Sequence, residues 1–148
     1  MIGSHLFMLL WTVLVCWALG QIWLVQIVVY PLFAKVGEAE YIDYHHFYLQ
    51  RIPLPVILPG FATFLVPIAL AFWGPAVPVW MTAANIAMGI VGLLVTVRLE
   101  IPRHNRLEKT GKNAVIIAEL VTYNWPRTLS ITAQAAVTIM MLDHVITQ

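Results

Sequence analysis

Long apolar runs separated by two polar connections set the pattern of this chain. The runs cover about 6–30, 52–73, 77–99 and 125–145. An α-helix needs roughly 20 mostly apolar residues to cross a hydrocarbon core of about 30 Å. Each run meets that length and is predicted to be a membrane-spanning helix. Only Gly74-Pro75-Ala76 separates the second run from the third, which makes them a tight antiparallel hairpin. The first run lacks the basic flank and small-residue cleavage site of a secretory signal, so it is read as a retained span ending at Tyr30-Pro31.

The connections, about 31–51 and 100–124, carry helical patterns of their own. In the first, Ile42, His45, Leu49 and Ile52 share one face, with Tyr41 and Tyr48 beside it. Asp43, His46 and Gln50 take the opposite face. Neighbouring helical residues point about 100° apart. His45 should therefore face inward, His46 should lie in water near Asp43, and the two should not serve one site. In the second connection a short helix, about 112–123, presents Ile116, Ile117, Leu120 and Val121. Asn124 reads as the N-cap of the fourth span, with Pro126 in its first turn. The predicted fold is all-α: one membrane domain over residues 1–148, a four-transmembrane-helix bundle with short interfacial helices on one side.

Composition narrows the function classes. Of 148 residues, 61% are hydrophobic and 10% charged, with a mean hydropathy of +0.84. A water-soluble domain has about a quarter of its residues charged. A soluble enzyme and a disordered chain are excluded; a net charge of +1 excludes a general nucleic-acid binder. A single cysteine, Cys16, supports neither a disulfide framework nor a Cys-based metal cluster. All eight basic residues (Lys35, Arg51, Arg98, Arg103, Arg106, Lys109, Lys112, Arg127) lie in or beside the two long connections. Cytoplasmic loops collect Lys and Arg. Both connections are therefore expected on the cytoplasmic side of the plasma (inner) membrane, with both termini on the other side.

Candidate chemistry gathers at that same side. Pro53, Pro55 and Pro59-Gly60 are expected to bend the cytoplasmic half of the second span and open a cavity. Glu100 and His104 are four apart, a spacing common in metal ligation, and His45 would supply a third ligand. Pro102 between them disfavours helical geometry at Ile101, so a site without metal or other cofactor is preferred to a divalent-metal site. Glu100 paired with Arg98 or Arg103 is the structural alternative. Arg127, in the first turn of the fourth span, opposes the helix dipole and calls for a partner. Glu100, Glu119, a lipid phosphate or an anionic ligand would each serve. Gln21, Gln26, Asn85, Gln134 and Thr138 are expected to bond between helices, and Ala83, Ala87, Gly89 and Gly92 to allow close approach.

The run Ile101-Pro102-Arg103-His104-Asn105-Arg106-Leu107, followed by Asn124-Trp125-Pro126-Arg127-Thr128, resembles a family of small four-helix membrane proteins that includes the fungal anthrone oxygenases. Tyr30-Pro31 and His45-x-x-Tyr48 are similar to its first half. The resemblance implies oxidation of an activated polycyclic phenol by molecular oxygen without an obvious bound cofactor. It also implies His104, Asn124 and Arg127 as site residues, joined by His45. The family often has Asn where this chain has His104. The expected function is thus an oxidoreductase acting on a hydrophobic small molecule that enters from the lipid bilayer. His45 or His104 would be the general base, and Arg127 with Asn124 would stabilise the oxyanion. The alternatives are a non-catalytic accessory subunit, docking through some of its six Trp, five Tyr and six Phe, and a small transporter built as a homo-oligomer.

Overall fold

In hydrocarbon every backbone N–H and C=O must be satisfied within its own segment, so an apolar run has to become a helix. The computed structural model describes residues 2–147, and the four runs form its four long helices. They are α1 (Gly3–Phe33), α3 (Pro53–Trp73), α4 (Val79–Thr110) and α6 (Trp125–Ile146). Two short helices fill the connections: α2 (Tyr41–Arg51) and α5 (Ala114–Tyr123). Among the described residues there is no strand. The long helices pack in a ring, α1 against α3, α3 against α4, α4 against α6 and α6 against α1.

The surface of this bundle is apolar. Leu54, Leu65, Phe72, Trp73 and Val79 are all more than half exposed. Lipid tails, not water, solvate such a surface, and the chain is a multi-pass membrane protein. Inside, close packing takes over. A Cβ on Gly89 would sit 2.6 Å from the Thr63 carbonyl oxygen, so α3 and α4 touch backbone to backbone there. Gly92 is buried as well, whereas Ala83 and Ala87, expected to share that contact, face outward. Midway along the bundle Trp11 donates to Thr138 at 3.0 Å, and Thr138 donates to the Asn85 side-chain oxygen at 3.1 Å. The Gln134 amide donates to the Thr63 and Asn85 carbonyls at 2.8 and 2.9 Å.

The prolines behave differently from expectation. Neither Pro31 nor Pro102 ends its helix. Each is preceded by one wide turn with i→i+5 hydrogen bonding, Val25–Val29 in α1 and Thr96–Glu100 in α4; a third such turn, Pro53–Ile57, opens α3. A proline ring clashes with the carbonyl one turn back, and the widened turn moves that carbonyl aside, so the helix continues. Ile101 is accordingly helical, at φ −55° and ψ −47°. Asn124 also departs from its expected role. It sits between α5 and α6 with near-helical angles (φ −73°, ψ −18°) and makes no side-chain cap. The true side-chain cap is Asn113, which accepts from the Val115 and Ile116 amides at the start of α5. Gly111, at φ +75°, makes the left-handed exit from α4.

Candidate functional site

All three wide turns lie at the end of the bundle that carries the polar connections; residues of two of them, and Tyr30 just after the third, border one cavity of about 210 Å³. Tyr30 of α1, Tyr48 of α2, Pro53 and Val56 of α3, Thr96, Glu100 and His104 of α4, and Arg127 of α6 line it. A widened turn shifts the side chains that follow it around the helix axis. Tyr30 and Glu100 sit at the end of two such turns, and both are buried.

Glu100 and His104 do share a face, as their spacing suggests. Glu100 is 1% exposed and Arg127 4% exposed. Neither carboxylate oxygen of Glu100 has a hydrogen-bond partner within 3.5 Å, and the Tyr30 hydroxyl acts on it from slightly farther away. Among the described residues the Arg127 guanidinium forms no hydrogen bond and no ion pair within 4 Å. The two side chains influence each other electrostatically across the cavity without touching. Buried charges left like this are costly, and a fold retains them where a ligand completes them. The expected pairings of Glu100 with Arg103 and of Arg127 with Glu119 do not form. Arg103 instead pairs with Glu119 at 2.9 Å and lies 4.2 Å over the Tyr123 ring. The dipole conflict expected of Arg127 is eased, because α5 runs almost directly into α6 across Asn124.

Beside the cavity the histidines form a chain. The Tyr30 hydroxyl is 3.2 Å from His104 Nε2, His104 Nδ1 is 3.1 Å from His45 Nε2, and His45 Nδ1 is 2.9 Å from Glu108 Oε2. Aromatic rings enclose it: Tyr41 stacks on His45, Tyr48 on His104, and Phe33 meets both imidazoles edge-on. Burial pushes the Tyr41 phenol up to about 12, and it pushes Tyr48 well above the ordinary phenol range. Both are therefore neutral rings near neutral pH. His46 does not lie against Asp43. It contacts Glu108 Oε1 at 2.6 Å and Gln50 at 2.9 Å. Glu108 thus joins His45 and His46, which helix geometry alone had separated. Ile42, expected on the inward face of α2, is half exposed.

Two of the expected site groupings are arranged differently in the structure. Asn124 is fully buried but outside the cavity lining; its amide donates to Gln26 Oε1 at 2.9 Å and to Thr128 Oγ1 at 3.3 Å, which ties α6 to α1. The His45, Glu100 and His104 metal triad does not assemble. Both nitrogens of His45 are committed to Glu108 and His104, and among the described residues no three His, Cys, Asp or Glu side chains group as ligands. Sequence reasoning missed Tyr30 and Glu108 as site residues. Glu108 left a signal, since Glu100, His104 and Glu108 continue one i, i+4, i+8 stripe. Tyr30 left only its place before Pro31. No protein-family model, curated protein or solved structure matches this chain, and the site stands on its own geometry.

Proposed function

We propose that the protein is a membrane oxidoreductase that takes a hydrophobic small molecule with an enolisable carbonyl or phenol from the bilayer and deprotonates it for oxidation by O2. One observation carries this reading: Arg127, buried and unpaired, faces a cavity shared with the Tyr30–His104 pair. Leu49, Ile52, Ile57 and Ile101 supply the apolar part of the lining. The positive-inside rule puts this end of the bundle at the cytoplasmic face of the plasma (inner) membrane and both termini on the other side.

For anthrone, the substrate class suggested by the resemblance, the chemistry balances as follows. The acidic ring C–H breaks and its proton passes to the Tyr30 hydroxyl oxygen as the Tyr30 proton moves to His104 Nε2. Negative charge grows on the carbonyl oxygen, where Arg127 stabilises it; a charge already fixed in a water-poor site needs little reorganisation. The enolate carbon uses its electron pair to bond O2 as a peroxide anion. The second ring C–H then breaks, its electron pair forms the new C=O bond as the O–O bond cleaves, and the expelled oxygen takes up protons to become water. One oxygen atom becomes the new carbonyl of the anthraquinone and the other leaves as water.

The test uses the purified protein in nanodiscs with anthrone as probe, following O2 uptake and anthraquinone formation. Wild-type protein should accelerate both over empty nanodiscs. Arg127→Leu should lower kcat/KM by about 10²–10³, with helical circular dichroism retained. Equal rates for wild type, Arg127→Leu and empty nanodiscs would refute the reading.

A further inference from the structure

The hydrogen bonds beside the cavity have a direction. The Glu108 carboxylate can only accept, so His45 Nδ1 carries a hydrogen and donates it over 2.9 Å. A neutral His45 then has a bare Nε2, which requires His104 Nδ1 to be the donor across 3.1 Å. That leaves His104 Nε2 bare to accept from the Tyr30 hydroxyl at 3.2 Å. Each link points from the cavity toward Glu108. The near end, Tyr30, lines the cavity and is 2% exposed; at the far end the Glu108 side chain is 29% exposed and touches His46, 59% exposed. Four ionisable or hydroxyl groups in mutual contact thus run from the cavity lining to the surface.

We propose that Glu108 is the surface end of a proton relay, Tyr30–His104–His45–Glu108, that draws the substrate proton out of the cavity and holds it for return to the reduced oxygen. The relay rests on the deprotonation reading above. Four moves make up the outward stroke. The substrate proton binds the Tyr30 oxygen, the Tyr30 proton goes to His104 Nε2, the His104 Nδ1 proton to His45 Nε2, and the His45 Nδ1 proton to Glu108 Oε2. Tyr30 and both imidazoles end neutral, each imidazole with its hydrogen on Nε2, and Glu108 ends as the acid. Oxidation by O2 forms water, which needs a proton back. Its return along the same path restores Nδ1–H on both rings, so neither enclosed imidazole has to rotate. Glu108 and His45 are relay residues, since neither lines the cavity.

Two measurements test the relay. In ¹⁵N spectra of histidine-labelled wild-type protein, assigned with single His→Gln variants, His45 and His104 should both be Nδ1–H tautomers. Either one found as Nε2–H overturns the proposal, whatever the activity. Glu108→Gln keeps an acceptor for His45 but cannot take up a proton. Without O2, wild-type protein should catalyse exchange of the acidic ring hydrogen of anthrone into D2O. Glu108→Gln should slow this exchange about 10- to 100-fold, with unchanged KM, and added imidazole should restore it. Equal exchange rates for the two proteins overturn the relay. Exchange without O2 uptake in the aerobic assay upholds the relay and refutes the oxidase reading instead.

Discussion

Two polar clusters sit inside this bundle, and they are built on opposite rules. The one at mid-depth, Trp11, Thr63, Asn85, Gln134 and Thr138, is neutral and ties all four long helices together; Gln134 Oε1 is its single unmatched acceptor among the described residues. The one at the basic end holds two buried ionisable side chains, Glu100 and Arg127, that form no ion pair within 4 Å. Neutral groups that satisfy one another act as interhelical glue. Charged groups left unmatched in a low-dielectric interior cost several times more and are retained where they work.

Substitutions can break that contrast, beginning with the largest effect. Arg127→Leu should all but abolish anthrone oxidation, yet leave the thermal midpoint in detergent unchanged or higher, since it removes an uncompensated buried charge. A large drop in midpoint would make Arg127 structural glue after all. Gly89→Val should do the reverse. It drives a side chain into the α3 backbone and should cost about 1–3 kcal/mol in detergent unfolding, while any surviving folded protein keeps its KM. Asn85→Leu, in the same cluster, should cost about 1 kcal/mol, again without changing the rate of any anthrone turnover by the folded protein. A rate change there would couple the two clusters. The smallest effect belongs to Tyr41→Phe, because the Tyr41 hydroxyl is buried without a partner. Its removal should be neutral or stabilise by up to about 1 kcal/mol. The unfolded chain loses that proton near pH 10 and the folded one near about 12, so Tyr41 weakens the fold as pH rises through this window. Tyr41→Phe should flatten the corresponding fall in midpoint, followed by circular dichroism.

Much of the fold was legible in the chain and less of the site. The spans, the short connecting helices and the inward turn of His45 all follow from hydrophobic length and the 3.6-residue period. The prolines misled. A break was expected at Pro31 and at Pro102, but widened turns absorb both rings, and those turns present Tyr30 and Glu100 to the cavity. Asn124 misled for a related reason: a residue that looks like a cap donates sideways once the helix runs on through it.

Hydrophobic length and the placement of eight basic residues, both local properties, were enough to determine four spans, their ring of short connections and the end that carries charge. Tertiary structure decided which polar groups meet. Tyr30, His45, His104, Glu108 and Arg127 come from four different helices, and no periodicity within one helix specifies its neighbour's rotation. That rotation is set by contacts such as Gly89 against Thr63 and by widened turns at the prolines, which depend on packing across the whole bundle.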